Sequence, residues 1–437
     1  MTTPSPDRRG FFRTAGALSL TAAGYAAGAT DRIGVAVVGC GARGQAHLHR
    51  LLARPDVAVV GVCDVWDGLD DEYEVAVNGR AVRRRYRQGL HPAAAQAGLD
   101  VGDRDRVTKD YRRLLDRPDV DVVVIATPDH WHGRMTLDAL AAGKDVLVET
   151  PLAHTAAGAR AVADAAGRSG RVLAVAAQTL ADPNWRLAQA RIAAGDLGRV
   201  SHLSAGVFRS DLRGYGRFVR LARQMTPRTV DWTAFLGPDV SPRPFDRAAF
   251  AQWRCDAAFG GGPLVDLLVH PLTRLLAATG LREPTRVVAG GGLFAEHDGR
   301  DVPDAVTLVA DFAAGCQLVL TGSTLGGTGQ SETIRGRRGT LELVRGGLKV
   351  FGDGQPRELA DVPPPDETAV VLDDFLKAVR RRDPAGVLCP PDLGAAAAVI
   401  LADGLAQVRA DRRAAADAGL TPPDWQKLAG PWDADDL

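Results

Sequence analysis

The sequence predicts an α/β domain with a doubly wound parallel sheet, followed by an α+β domain built on an open, mostly antiparallel sheet. Three observations carry that expectation. Between residues 33 and 178, short apolar runs alternate with helical segments, as a parallel sheet with crossover helices requires. A Gly-x-Gly-x-x-Gly turn directly follows the first of those runs. Beyond about Asp182 the texture changes to short strands separated by glycine turns. The 437 residues suffice for two domains, divided here as 30–181 and 182–437 behind a leader of residues 1–29.

In the leader, Arg8 and Arg9 precede Phe11, Phe12 and Arg13, and a mildly apolar run ends in Ala27-Gly28-Ala29. The pattern reads as a twin-arginine export signal cleaved after Ala29, which places the protein in the periplasm or cell envelope. A disordered basic tail is the alternative. The run is short and rich in Gly and Ala, so no stable membrane span is expected after cleavage. Twin-arginine export carries folded proteins, often with a cofactor already inside.

From Ile33, IGVAVVG is a buried strand, RGQAHLHRLLARP a helix closing at Pro55, and VAVVGVCD the second strand. Residues 65–107 form a long insertion whose RAVRRRYRQ reads as a solvated basic segment, with a phosphate contact as the lesser alternative. VDVVVIATP, HGRMTLDALAAGK and DVLVE supply strand, helix and strand. A helix over about 155–169 and the strand RVLAVAAQ complete the first sheet. A helix around 185–194 then leads to RVSHLSAGVFRS, the first strand of the second sheet. TRVVAGGGLFAEH, AVTLVADF, CQLVLTGST and GTLELV follow it in hairpin order. Helices near 367–382 and 392–416 are expected to pack back on the core.

Composition excludes several classes. The 53 basic and 53 acidic residues cancel, so no nucleic-acid partner is implied. A hydrophobic content of 46% supports a full globular core. The five cysteines are odd in number and lack C-x-x-C spacing, which argues against a disulfide scaffold or a zinc site.

The glycine turn carries the first chemistry. Gly39 allows the tight bend, Gly41 lets the backbone approach a pyrophosphate, and Gly44 lets helix and strand pack closely. Ala42 and Arg43 complete the loop. The anion then rests on the unpaired N–H groups of the helix N-terminus. Asp64 ends the second strand, about 20 residues further on, where a carboxylate holds a ribose 2′-hydroxyl and repels a 2′-phosphate. The expected cofactor is therefore NAD rather than NADP. In ATPDHWH, Thr127, Pro128 and His132 are read as cofactor lining at a strand end, against the alternative that Trp131 merely packs.

In FGGGPLVDLLVHPLTRLL, three glycines precede a helix on which Asp266 and His270 are four apart and share a face. An aspartate one turn away can orient an imidazole and make it a better base, so the pair is read as catalytic or substrate-holding. Only these two ligands are evident there, and no metal is expected. Pro271 should kink the helix just after His270.

Together GCGARG, Cys63-Asp64, TPDHWH, ETPLAHT, DWTAFLGP and GGGPLVDLLVH resemble the glucose–fructose oxidoreductase, inositol dehydrogenase and MocA-like (Gfo/Idh/MocA) family, here in an exported, twin-arginine-signal form. The resemblance implies a Rossmann domain followed by an open antiparallel sheet through which such proteins commonly form homo-oligomers. It implies a bound nicotinamide cofactor with Glu149 and Gln178 on its wall, and a small carbohydrate or polyol substrate. It also implies substrate-binding and proton-transfer roles for Asp266 and His270. The departure is Glu149-Thr150-Pro151, where the family usually has Glu-Lys-Pro. Thr150 brings a hydrogen bond but no charge, and losing such a stabilising group costs roughly 10²–10³ in rate. Lys144 and Arg186 are the candidate substitutes.

Three functions stay open on the sequence. The first is an NAD-dependent oxidoreductase acting on a sugar or polyol secondary alcohol, with tightly bound NAD. The second is a redox-neutral, NAD-dependent glycoside hydrolase or lyase. The third is a non-catalytic sugar-binding protein on a degenerate scaffold.

Overall fold

The computed structural model describes residues 32–417, apart from 78–79, 210–222, 295, 297–298, 325, 327–329, 353–356 and 360–364. The expected export leader lies outside the described residues. Strand β1 (Ile33–Val38) leads through the glycine turn to α1 (Ala42–Leu52) and β2 (Val57–Cys63). A hairpin of β3 (Leu69–Val77) and β4 (Arg80–Gln88) follows, then α2 (Leu90–Ala97), β5 (Val107–Thr108) and α3 (Tyr111–Leu115). The domain is completed by β6 (Val122–Ile125), α4 (Asp129–Ala141), β7 (Asp145–Val148), α5 (Ala156–Ser169) and β8 (Leu173–Val175). Thr155 caps α5 by accepting from the Gly158 N–H at 3.0 Å.

The strands pair in parallel in the order β5-β2-β1-β6-β7-β8. The order of strand addition reverses between β1 and β6, and the crevice beyond that switch point is where doubly wound sheets take ligands. Strands β1 and β6 are apolar almost throughout because helices cover both faces.

A 3₁₀ turn at Gln178–Ala181 and α6 (Asn184–Ala193) lead to β9 (Val200–Phe208), then α7 (Trp232–Leu236), α8 (Arg247–Ala251), α9 (Pro263–Asp266) and α10 (Val269–Thr279). Asp182 already belongs to the second half, since its side chain accepts from the Gly346 N–H at 2.9 Å. Strands β10 (Arg286–Gly292), β11 (Ala305–Phe312), β12 (Cys316–Ser323), β13 (Gln330–Gly336), β14 (Thr340–Val344), β15 (Gly347–Phe351) and β16 (Arg357–Leu359) complete the second sheet. Its order is β10-β11-β12-β9-β13-β14-β15-β16, and only β9 and β12 are parallel neighbours. The mostly antiparallel expectation holds. Alternate burial along β11 and β12 shows one face turned to the core.

Helices α11 (Glu367–Arg381) and α12 (Pro391–Asp417) return to the core as expected. Val371, Leu372, Phe375 and Leu376 of α11 are buried in one cluster with Val35, Leu48 and Val124. An Arg380–Asp56 ion pair at 2.6 Å adds to that contact. Helix α12 is long and apolar enough to cross a membrane by composition, yet Leu393, Val399, Ile400, Leu401 and Leu405 are buried inside the core.

RAVRRRYRQ is the strand β4. Cross-strand partners Asp70↔Arg87, Glu72↔Arg85 and Glu74↔Arg83 alternate opposite charges along the hairpin. Arg83 and Arg85 are exposed, in keeping with a solvated basic segment, while Tyr86 is buried beside Trp66. One expectation is corrected: Pro271 does not kink a continuous helix. The helix breaks at Leu267–Leu268, and Pro271 falls in the first turn of α10, where its missing N–H is harmless.

Phe375 is fully buried, so Phe375→Ala should lower stability by about 3–5 kcal/mol. An unchanged urea midpoint by circular dichroism would show that α11 is no part of the first domain's core.

Candidate functional site

A cavity of about 950 Å³ opens beyond the carboxyl ends of β1, β2, β6 and β7 and is closed on its other side by the second half of the chain. It brings together Gly39, Gly41, Ala42, Arg43, Asp64, Thr127, Pro128, His132, Glu149, Thr150, Gln178, Asp266 and His270. Among the expected site residues only Gly44 is missing from the wall. A Cβ there would lie 1.8 Å from the Gly39 carbonyl oxygen, so Gly44 serves helix–strand contact rather than cofactor contact.

The other two glycines fit a dinucleotide. Gly39 has φ +85°, and a Cβ on it would strike the Ala126 carbonyl at 2.6 Å. A Cβ on Gly41 would meet nothing nearer than Gln88 Oε1 at 4.0 Å, so open space lies over the start of α1. Gly41 caps α1 without any side-chain hydrogen bond, which leaves first-turn N–H groups for an anion. Asp64 accepts from the Cys40 N–H at 2.7 Å and the Trp66 N–H at 2.8 Å, which fixes its carboxylate at the end of β2. Burial pushes its pKa up, against those two bonds and the Lys109 charge. The Thr127 hydroxyl is buried and has no partner among the described residues. These features suit NAD, with the pyrophosphate at Gly41 and Ala42 and the ribose hydroxyls at Asp64.

Glu149 is the electrostatic centre of the wall. Arg43 reaches its Oε1 at 3.0 Å, His47 Nε2 at 2.7 Å and Gln178 Nε2 at 3.1 Å. Burial alone would raise its pKa. The His47 hydrogen bond, the His47 and Arg43 charges and Gln178 together hold it well below the usual carboxylate range. Arg43 therefore spends its charge on Glu149 in this structure. His132 sets Nδ1 2.7 Å from Pro151 O and Nε2 2.8 Å from Thr127 O, so its ring joins two strand ends while one edge faces the cavity. Burial lowers its pKa.

The Asp266–His270 pair forms differently from its spacing. Asp266 accepts from Arg254 Nε at 3.0 Å, and His270 Nδ1 is buried with no partner among the described residues. The break at Leu267–Leu268 removes the one-turn register that would have aligned them. Both still line the cavity. Burial depresses the His270 pKa, opposed by the charges of Asp266 and Glu149. The imidazole is thus neutral near pH 7 and able to accept a proton. Neither proposed substitute cation reaches this place. Lys144 donates to Arg117 O at 2.8 Å and Val120 O at 2.9 Å, and Arg186 lies over the Trp185 ring at 4.9 Å.

Several wall residues carried no local sequence signal. Trp131 donates its indole N–H to Phe235 O at 2.8 Å, and a Cβ on Gly237 would strike that indole at 2.6 Å. DWTAFLGP is thereby docked onto TPDHWH. Asp129 is 4% exposed beside Arg254 and Asp266, and burial pushes its pKa up to about 8. Trp253, Arg254 and Phe250 complete the second half of the wall. The five cysteines are buried free thiols, and no group of three potential metal ligands occurs among the described residues.

A carboxyl whose pKa is lowered by folding adds stability that is complete above its ordinary value of 4.5 and lost as pH falls through the folded value. The difference in thermal midpoint between wild type and Glu149→Gln should therefore shrink as pH is lowered from 6 towards 3. A constant gap would mean that Glu149 is not held ionised.

Comparison with known proteins agrees with this geometry. Residues 33–177 match the oxidoreductase family with an NAD-binding Rossmann fold, and residues 239–342 match the Gfo/Idh/MocA C-terminal domain. An alpha-N-acetylgalactosaminidase from Shewanella oneidensis is 32% identical over 135 residues, 31% of this chain and 26% of that protein. The chain thus spans about a quarter of the length of such curated relatives. A levoglucosan dehydrogenase in complex with NADH and levoglucosan superposes with a TM-score of 0.60 at 22% identity, covering 87% of this chain and 98% of that one. An aldose–aldose oxidoreductase from Caulobacter crescentus complexed with glycerol gives a TM-score of 0.60 at 19% identity, with 87% and 98% covered. These likenesses establish the fold. With the two matched stretches together covering more than half of its length, the chain belongs to the Gfo/Idh/MocA family, with an NAD-binding Rossmann domain as its first half.

Proposed function

We propose that the protein is an exported oxidoreductase that oxidises a secondary alcohol of a sugar or polyol with tightly bound NAD. The observation that carries this reading is a neutral, cavity-facing His270 on the same wall as an open glycine turn and a strand-end carboxylate. The nicotinamide, when bound, supplies the hydride acceptor. His270 takes the hydroxyl proton, and Asp266 with Arg254 presents charge and hydrogen bonds to the substrate. Aromatic side chains at Trp253 and Phe250 offer flat faces to a sugar ring.

A redox-neutral glycoside hydrolase or lyase is the second reading. It draws on the galactosaminidase relative and on Asp129, a second carboxyl group that stays protonated at neutral pH and could serve as an acid. Export through Arg8 and Arg9 to the periplasm or cell envelope belongs to the same proposal. There the absence of a free nicotinamide pool favours a retained cofactor. Assembly into a homo-oligomer is proposed from the family resemblance, supported by exposed Val288 and by Phe294 just beyond β10.

Purified protein should release a nicotinamide nucleotide on denaturation and form reduced nicotinamide with at least one member of a polyol and aldose panel. Glycoside cleavage without net reduction would select the second reading, and no nucleotide with no turnover would sink both. His270→Ala should lower kcat by about 10²–10⁴, and kcat/KM should fall only below the ordinary imidazole value of 6.5.

A further inference from the structure

Thr150 leaves the substrate end of the cavity without the cation that the family usually places there. Among the described residues, the cationic side chains on the wall belong to Arg43, Lys109, Arg112, Arg209 and Arg254. Arg43 is engaged with Glu149. Lys109 pairs with Asp67 at 2.7 Å, towards the Asp64 end, and Arg112 is half exposed beside Asp110. Arg209 stands just past the end of β9.

Arg254 is held differently. Its side chain is 21% exposed, its Nε donates to Asp266 Oδ1 at 3.0 Å, and its guanidinium lies 4.2 Å over the Trp253 ring. Its charge is felt at Asp129 and at His132. The His132 ring in turn touches the Pro151 carbonyl, one residue beyond Thr150.

We infer that Arg254 is the cation of the substrate half, facing the reacting oxygen in place of the absent lysine, with Asp266 and Trp253 fixing its plane. A guanidinium clamped between a carboxylate and an indole is a pre-organised planar donor, unlike an ammonium on a flexible stem. It offers hydrogen bonds to an alcohol oxygen as negative charge develops there. Arg254 exchanges neither proton nor electron. The hydroxyl proton passes to His270, and a bound nicotinamide would supply the acceptor for the hydride, the two electrons and C–H hydrogen that leave the carbinol as the ketone forms. The inference rests on the oxidoreductase reading above.

The test begins with wild-type turnover on the polyol and aldose panel. If wild type forms no reduced nicotinamide, the functional reading fails and Arg254 is not at issue. Given turnover, Arg254→Gln should lose about 10² in kcat while keeping its nucleotide content and thermal midpoint. Added guanidinium should restore part of the rate of Arg254→Ala and leave wild type unchanged. Thr150→Lys placed in the Arg254→Gln background should raise kcat about tenfold or more. Should Arg254→Gln fail to fold, Arg254→Lys decides, and its rate should fall below wild type but stay above that of Arg254→Ala, because the charge is kept and the planar clamp is lost. The inference is overturned if Arg254→Gln changes KM alone, if Arg254→Lys is as impaired as the neutral variant, if guanidinium and Thr150→Lys both fail to rescue, or if Arg209→Gln alone causes the loss.

Discussion

Glu149 is a buried carboxylate at the end of β7 that Arg43 and His47 approach from one element and Gln178 from another. Arg43 lies in the first turn of α1, His47 lies one turn further along it, and Gln178 opens the segment leading to the second half. One side chain therefore sets the glycine turn, the strand end and the crossover relative to each other. Removing a partner would leave the buried Glu149 carboxylate with less compensation for its charge. The same arrangement holds the Glu149 carboxylate ionised on the cavity wall, with the Arg43 guanidinium against it.

What the sequence made legible was local. The glycine turn and Asp64 could be read from short spacing because each glycine answers a constraint within a few residues: φ +85° at Gly39 and contact with Gly39 O at Gly44. The antiparallel character of the second sheet followed from strands in hairpin order with glycine turns, and β10, β11 and β12 pair in that way. The hairpin at Leu69–Gln88 was obscured because arginines on β4 suggest solvation, and its pairing depends on acids across the hairpin.

The expected one-turn register of Asp266 and His270 does not form, for the same reason. A spacing of four assumes an unbroken helix, and the break at Leu267–Leu268 frees Asp266 to meet Arg254. Arg254 lies 12 positions away from Asp266 in sequence. Nothing in WRCDAAF marks it as a site residue; its importance arises only from the fold. The Trp131–Phe235 bond, which spans 104 positions, is equally invisible to any local reading.

That indole–carbonyl bond has a kinetic side. The cavity is roofed by α7, and the roof is pinned to the first domain by Trp131 and by the His130 ring, 2.9 Å from the same Phe235 oxygen. A dinucleotide bound beneath α7 would be covered by the same chain that grips the motif under it, so its escape would require local opening of the protein. A nucleotide held in that way would stay with the protein and be reset in place at each turnover.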